Sequence, residues 1–400
     1  MKVLLIDSNY QIQNNASGQI SRVFWESNAD VFNPTIVCTK QYEVFKSNCR
    51  VISVPESTFI HNIGGLLRRI GLSDLCHIPD LKRFSWKPFV LRRINKELNL
   101  RDFNYIHSIS CPESSHLIAL ELKKKTGLPW VAQFDDPWVE NVNKKFKWGK
   151  LQKVDRHYED LVAKNADIII HSNKVIFKNW VQRYGVQLMQ KASILPFSYN
   201  IPTLPRINDT IGRSGALKIF HIGNLYASRS AKSFFTAVKE FEKTYAETLP
   251  LDITFIGSLP ETEVSFVESL DLKSKVSFLG VLSPDSLNNY YEAADVFLVI
   301  DMNLAKSASW PSKLMLYHYF RKPILSITVK DSVIEDDMIS SGHKHYYFDD
   351  IKGISDYLYT ASTDYDSLLR FDHNYWKQFT VENVTNLYLD AIKNIPGLLR

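Results

Sequence analysis

Two doubly wound α/β domains in tandem are the fold class this sequence predicts, and three observations predict it. Short apolar runs alternate with helix-length amphipathic stretches along the chain. The runs are apolar at successive positions, as strands are when helices cover both faces of a parallel sheet. The alternation stops once and restarts, and 400 residues suit two ordinary cores better than one.

In the first half, "KVLLID" (2–7) is the opening strand. Asp7 interrupts its apolar run before the length of a secretory core is reached, so no signal peptide is expected. Further strands are predicted at 34–39, 50–54, 103–108, 129–134, 166–172 and 192–197. Helices are predicted at 17–29, 87–98, 113–126, 150–165 and 173–184. Residues 198–216, "SYNIPTLPRINDTIGRSGA", turn polar and hold two Pro and two Gly, as a linker does. The pattern resumes with strands at 217–223, 251–257, 275–280, 294–300 and 322–327. Helices follow at 229–244, 261–270, 284–293, 311–321 and 332–340, with an amphipathic tail at 379–395. The expected boundaries are residues 1–200, a linker at 201–216, a second domain at 217–375 and a terminal helix within 376–400.

Composition narrows the function classes. The longest apolar runs, such as "VFLVI" (296–300), are far too short to span a membrane. Cys38, Cys49, Cys76 and Cys111 are scattered without a CxxC, so neither zinc nor a disulfide framework is expected and the cytoplasm is the expected home. Residues 1–200 carry 28 Lys/Arg against 18 Asp/Glu, a balance of +10; residues 201–400 carry 20 against 25, a balance of −5. A basic half suits a phosphate-bearing substrate or an anionic membrane face. No RNA-binding module is present, so nucleic acid is not an expected partner.

Ligands of doubly wound sheets sit off the carboxyl ends of the strands. In the second half, "FHIGNLYASRSAKSFFTAV" leaves a strand at Gly223 and enters a helix near Arg229. A glycine there admits a ligand close to the backbone, and Arg offers a fork suited to phosphate. The plainer reading is a turn and a surface arginine. In "SASWPSKLMLYHYFRKPIL" (307–325), Ser309 can cap, Pro311 fits a first turn, Ser312 offers a donor, and Lys313 lies within reach of an anion. No Asp or Glu occurs between Ala305 and Lys330. Arg229 and Lys313 together make two cations at the strand ends of one sheet, which a diphosphate leaving group needs.

The succession "FHIGNLYASRSAKSFFTAVKEF", "ITFIGS", "KVSFLGVLSPDSLNNYYEAADVFLVID" and "WPSKLMLYHYFRKPIL" resembles the donor domain of glycosyltransferase family 4. In the first half "SSHLIALELKKKTGLPWVAQFDDPW", "IPDLKRFSW", "DLVAKNADIIIHSN" and "ASILPFSYN" fall in that family's usual places. The resemblance covers nearly the whole chain. It implies a GT-B fold, with two Rossmann-like domains facing each other across a cleft and a C-terminal helix crossing back to the first. It implies a retaining transfer of a sugar from a nucleotide-diphosphate donor to a glycan or lipid-pyrophosphate-linked acceptor, as in bacterial surface polysaccharide synthesis. Gly223 and Arg229 match the residues that hold the donor phosphates, and Lys313 matches a phosphate-side lysine. Gly257 ends the next strand, and Gly280 and Val281 match the turn that reads the nucleobase edge. Two departures stand out. The family's paired glutamates fall on Ala308 and Leu316, leaving Ser309, Trp310 and Tyr317 as the nearest replacements. The usual glycine before "KPIL" is Arg321.

No metal is expected, because Arg229 and Lys313 can stabilise the leaving diphosphate; "FDDPW" (134–138) lies in the basic half, away from the predicted phosphate site. Candidate positioning groups in the first half are Asp136, matching the family acid, His116 and His107. Asp136 could equally cap a turn, and the two histidines could equally be structural. Gly18 and Gln19 are placed to approach a donor or acceptor, with Ser17 as a helix cap. Residues 59–98 hold eight Lys/Arg interleaved with Phe59, Leu66, Leu67, Phe84, Trp86 and Phe89, a composition suited to an anionic leaflet. The lost glutamates favour a second reading, a binding subunit of the same fold. An epimerase is the third, although the carboxylates it needs are missing from the family positions.

Overall fold

The computed structural model describes residues 1–12, 15–40, 46–77, 86–141, 144, 146–199, 215–226, 228–245, 250–304, 307–395 and 398. The chain divides into two compact units: Met1–Asn200 with Gln378–Arg400, and Ile201–Lys377. Most of the expected linker, 201–214, and the "IPDLKRFS" stretch at 78–85 lie outside the described residues.

Unit 1 holds strands β1 (Val3–Ile6), β2 (Thr35–Thr39), β3 (Arg50–Val54), β4 (Tyr105–Ser110), β5 (Trp130–Phe134), β6 (Ile168–His171) and β7 (Ala192–Ile194). Its helices are α1 (Ala16–Ser27), α2 (Ala29–Phe32), α3 (Thr58–Arg69), α4 (Trp86–Glu97), α5 (Ser114–Thr126), α6 (Gly149–Asn165) and α7 (Lys174–Tyr184). The sheet is parallel in the order β3-β2-β1-β4-β5-β6-β7, so the strand order reverses between β1 and β4. β1, β2, β4 and β6 are buried at every residue, which is why these runs are apolar on both faces.

Unit 2 holds β8 (Leu217–Ile222), β9 (Leu251–Ile256), β10 (Val276–Phe278), β11 (Val296–Ile300), β12 (Ile324–Thr328) and β13 (Lys344–Tyr347). Its helices are α8 (Lys232–Thr244), α9 (Glu261–Ser269), α10 (Pro284–Ala293), α11 (Lys313–Tyr319), α12 (Val333–Ser341) and α13 (Ile351–Thr363). The order β10-β9-β8-β11-β12-β13 is again parallel and reverses between β8 and β11.

The structure adds elements to those read from sequence. β13, "KHYY", is an edge strand only partly buried, so it lacks the continuous apolar run. α3 contains Gly64 and Gly65, which depress helix propensity. α13 carries Gly353 in its first turn, where the backbone N–H donates to the Asp350 cap at 2.9 Å. It then buries Ile354, Leu358 and Ala361 in the unit 2 core.

The terminal helix α14 (Val381–Ile392) belongs to unit 1. Thr380 caps it, and Val384, Tyr388 and Ile392, spaced four apart, enter the unit 1 core. Tyr388 anchors it. Its ring meets Phe24, Trp25 and Phe32 edge-on at 5.3 to 5.9 Å between centroids. Its hydroxyl bonds Tyr105 Oη at 2.9 Å and His107 Nδ1 at 2.8 Å. Tyr388→Phe keeps the ring contacts and leaves two buried polar groups unpaired. Chemical denaturation should show a loss of about 1–3 kcal/mol. A loss within the ~0.5 kcal/mol of an ordinary surface substitution would mean these bonds do not hold the helix.

Candidate functional site

The carboxyl edge of the unit 2 sheet is lined with glycine. Gly223, Gly257 and Gly280 follow β8, β9 and β10 at φ of 134°, 130° and 67°, backbone that side chains rarely adopt. Backbone pairing continues through them: Gly223 N–H donates to Ile256 at 2.7 Å, and Gly257 N–H to Gly280 at 2.8 Å. A Cβ on Gly257 would lie 2.5 Å from the Gly223 carbonyl oxygen, and one on Gly223 would lie 3.3 Å from Lys313 Nζ. Glycine at 223 therefore lets the lysine lie over the strand end. Val281, next to Gly280, is 76% exposed.

Lys313 opens α11, and Ser312 is the N-cap residue without a side-chain cap bond. The Lys313 ammonium lies 3.1 Å from Nε2 of His221. Burial, together with the Arg229 charge, holds the lysine pKa well below its ordinary value. His221, buried in β8, bonds the Leu298 carbonyl through Nδ1 at 3.0 Å. That carbonyl fixes Nδ1 as the protonated nitrogen and leaves Nε2 as the acceptor facing Lys313. Arg229 lies over the Tyr226 ring, 5.0 Å from its centroid, and its Nε is buried without a hydrogen-bond partner. Neither Arg229 nor Lys313 forms an ion pair among the described residues. The two cations predicted from sequence thus share one strand edge.

Three details differ from the sequence-based expectation. α8 begins at Lys232, beyond Arg229, and its start is occupied by an internal anion. Glu263 accepts from Ser230 Oγ at 2.7 Å and from the Ala231 N–H at 3.0 Å. That helix start is already capped by protein. Tyr317, one of three candidate replacements for the family glutamates, is fully buried. Its hydroxyl accepts from the Ile222 N–H at 2.9 Å and its ring stacks on Phe297 at 4.2 Å, so it serves the core. Arg321 adopts φ 52°, a left-handed backbone that favours glycine, and its guanidinium lies 5.9 Å from the Trp376 ring centroid. Ala308 is buried and Leu316 half-buried. Asp301, at the end of β11, is consumed internally by Ser307 Oγ, the Met302 N–H and Thr328 Oγ1.

The carboxyl edge of the unit 1 sheet carries a hydrogen-bonded relay. Tyr388 donates to His107 Nδ1, and His107 Nε2 faces Gln133 Oε1 at 3.1 Å. Gln133 Nε2 donates to Asp135 Oδ1 at 2.8 Å, and Ser17 Oγ donates to Asp135 Oδ2 at 2.9 Å. Burial pushes the Asp135 carboxyl up to about 7, more than its two donors pull it down. Burial likewise drives His107 down to about 3, so it stays neutral. His107 is thus an internal link in this relay, with both ring nitrogens engaged. Ser17 does not cap α1; Asn15 does, accepting from the Gly18 N–H at 2.9 Å. Gly18 packs so closely under the Asn9 carbonyl that a Cβ there would collide with it. Gln19 follows in the same turn.

His116 lies inside α5, stacked near Phe134 and Trp138 at 4.4 and 6.1 Å. Ser108 Oγ accepts from Trp130 Nε1 at 2.7 Å and shares a hydrogen bond with His116 Nδ1 at 2.8 Å. His116 Nε2 is a buried atom with no partner among the described residues. Burial lowers its pKa to about 3. Asp136 sits beside Asp135 at the same edge. Sequence reasoning singled out Asp136 and missed Asp135 and His221. The signals were an acid directly after a strand and a histidine inside an apolar strand, each needing a buried partner. Among the described residues, no group of three or more His, Cys, Asp or Glu is arranged to hold a metal ion.

No family model and no curated protein matches this sequence. Solved structures do match its fold. Sucrose-phosphate synthase from Thermosynechococcus elongatus aligns at TM-score 0.70 and 13% identity over 99% of each chain. HepE from Anabaena, in complex with UDP-glucose, aligns at TM-score 0.67 and 11% identity over 99% of this chain and 100% of that one. The lipopolysaccharide outer core galactosyltransferase WaaB aligns at TM-score 0.63 and 14% identity over 98% and 99%. These are GT-B glycosyltransferases, and at these identities the likeness shows a shared two-domain Rossmann-like fold.

Asp135 makes a signed prediction. Its folded pKa lies above the 3.8 of a free Asp, so the native state holds a proton that the unfolded chain releases. Stability therefore falls as pH rises from about 4 to about 7, by roughly 3–5 kcal/mol, and stays reduced above that. Asp135→Asn should gain melting temperature over wild type at pH 8 and lose that gain by pH 5. A difference that does not change with pH would mean the carboxyl ionises normally.

Proposed function

We propose that this protein is a family 4-type glycosyltransferase that moves a sugar, with retention, from a nucleotide-diphosphate donor. The observation that carries the proposal is the unpaired cation pair, Arg229 and Lys313, at the point where the unit 2 strand order reverses. Two cations without a counter-charge, beside three side-chain-free backbone turns, suit a diphosphate. Gly223 and Gly257 let the phosphates approach the backbone, and Gly280 with the exposed Val281 offers an edge for the base. HepE, whose fold this chain shares, was solved with UDP-glucose.

Chemistry then requires charge stabilisation of the departing diphosphate, which Arg229 and Lys313 supply without a metal. Retention follows from attack on the face the diphosphate leaves, with a phosphate oxygen taking the acceptor proton. Unit 1 supplies positioning. Asp136, Asp135 with Ser17, and the unpartnered Nε2 of His116 are its polar groups near the carboxyl edge, with Gly18 keeping the first turn close to β1. The acceptor class is a glycan or a lipid-pyrophosphate-linked glycan, as in synthesis of bacterial surface polysaccharide. A second reading, a nucleotide- or glycan-binding subunit, is favoured by one observation: neither family glutamate is present, at Ala308 or Leu316.

We also propose that the enzyme works at the cytoplasmic membrane face. Leu66 and Ile70 are exposed at the end of α3 beside Arg68 and Arg69, and Phe89 is exposed on α4 beside Arg92. Such pairing suits shallow contact with anionic headgroups. No described helix is long and apolar enough to cross a membrane.

Three measurements test this reading. A panel of nucleotide sugars should include at least one that raises the melting temperature and is slowly hydrolysed. Stabilisation without any turnover, even with glycan acceptors, would favour the binding subunit. Arg229→Ala and Lys313→Ala should each weaken donor binding by several kcal/mol, on the order of two strong phosphate contacts; near-wild-type kinetics in both would remove the phosphate assignment. Sedimentation with vesicles should depend on anionic lipid and weaken in Arg68→Glu/Arg69→Glu. Equal sedimentation with neutral vesicles would exclude the electrostatic contact.

A further inference from the structure

We propose that His221 is a positioning residue that keeps Lys313 as a neutral amine before the donor arrives, so that a nucleotide diphosphate binds together with a proton from solvent. The inference rests on the phosphate site proposed above and concerns how that site is held ready.

The geometry is specific. Lys313 Nζ has one polar protein partner among the described residues, the His221 ring, at 3.1 Å from Nε2 and 3.4 Å from Nδ1. The histidine cannot turn to offer anything else. Its Nδ1–H is held by the Leu298 carbonyl on β11, and its ring lies 5.2 Å from Phe255 on β9. Lys313 can therefore only donate toward a bare ring nitrogen. Among the described residues no anion stands against it. β8 presents His221 and the Gly223 backbone, and the segment after β8 presents the Arg229 cation. α11 presents the Tyr317 ring at 5.9 Å from the ammonium, with its hydroxyl turned to Ile222. The two carboxylates on neighbouring elements are already committed, Asp301 to Ser307, Met302 and Thr328, and Glu263 to Ser230 and Ala231.

An ammonium taken out of water, beside a guanidinium and without a carboxylate, gives up its proton. The neutral amine still has an N–H for His221 Nε2, so it loses no hydrogen bond in doing so. His221 does not take up the proton itself, because burial, with the Arg229 charge beside it, holds its pKa well below the ordinary value. A diphosphate reverses the balance. Its charge favours the cation, and the Nζ lone pair takes a proton from solvent while the nucleotide stays covalently unchanged. Binding and protonation are then linked, and affinity must fall as pH rises.

The test uses the full-length protein and UDP-, GDP-, ADP- and dTDP-glucose, whose diphosphates carry sugar esters and do not titrate near neutral pH. Whichever donor binds is titrated calorimetrically at pH 7.5 in two buffers of different ionisation enthalpy, and its affinity is followed from pH 7 to pH 9. The expected result is net proton uptake of up to about one per site and an affinity falling by up to about tenfold per pH unit. Lys313→Arg, permanently charged, should bind without proton uptake and with a flat pH profile. His221→Gln keeps an acceptor near the Nε2 position and should retain the uptake. His221→Phe removes the acceptor, frees the lysine toward solvent and should lose it. A purely structural histidine would lower melting temperature and affinity in the Phe variant but leave the proton count unchanged. Donor binding without buffer dependence in the wild type overturns the proposal while leaving the phosphate site intact. If no donor binds, the reading beneath it fails as well.

Discussion

The strand-end site of unit 2 follows from one constraint, a partly buried lysine with no acid paired to it among the described residues. Lys313 lies over the end of β8, where a Cβ on residue 223 would come within 3.3 Å of its Nζ and press on it. It is held there by a histidine whose other nitrogen is tied to the next strand. The helix that carries it is fixed from below, where Tyr317 fills the core against Phe297 and its hydroxyl takes the Ile222 N–H. An amine kept this way carries its charge readily only when an anion joins it. Arg229, with its own buried nitrogen unpartnered, adds its charge at the same edge.

Unit 1 obeys a related rule with the opposite sign. Its central strands are buried on both faces, where a polar side chain needs a partner to offset its lost water, although Ser110 Oγ and both His171 ring nitrogens have none among the described residues. Tyr105, His107, Gln133 and Asp135 meet that requirement as a chain that starts on the terminal helix and ends at a carboxyl near the strand ends. The same bonds that pin α14 to the core therefore orient His107 and, through it, Gln133, which donates to Asp135.

The departures from the family pattern divide into two kinds. Arg321 changes the residue at a backbone that favours glycine, since it adopts a left-handed φ and rests its side chain against Trp376. Ala308 and Leu316 change the chemistry, because neither can accept a hydrogen bond from a sugar or a ribose. The unit 2 strand edge thus keeps its two basic side chains, Arg229 and Lys313, and holds no carboxylate at positions 308 and 316.

Much of this was legible in the residue string. Continuous apolar runs between amphipathic stretches dictated two parallel sheets, because only strands covered on both faces are written that way. Gly223, Arg229 and Lys313 stood out because glycine after a strand and cations near helix starts have few other uses. Elements that do not follow those patterns were hidden: β13 is a half-exposed edge, and α3 and α13 carry glycines that weaken the helical signal. The partners were hidden too. His221 and Asp135 gain meaning from Lys313 and from Ser17, 92 and 118 residues away in sequence, and no local pattern encodes such a pairing. The sequence by itself determined the fold class and the two basic residues at the unit 2 strand edge, since periodicity and residue type are local properties. Only the tertiary structure decided which acid is buried, which histidine is spent in the core and which one holds the lysine, because burial and hydrogen-bond pairing are set by distant segments brought together.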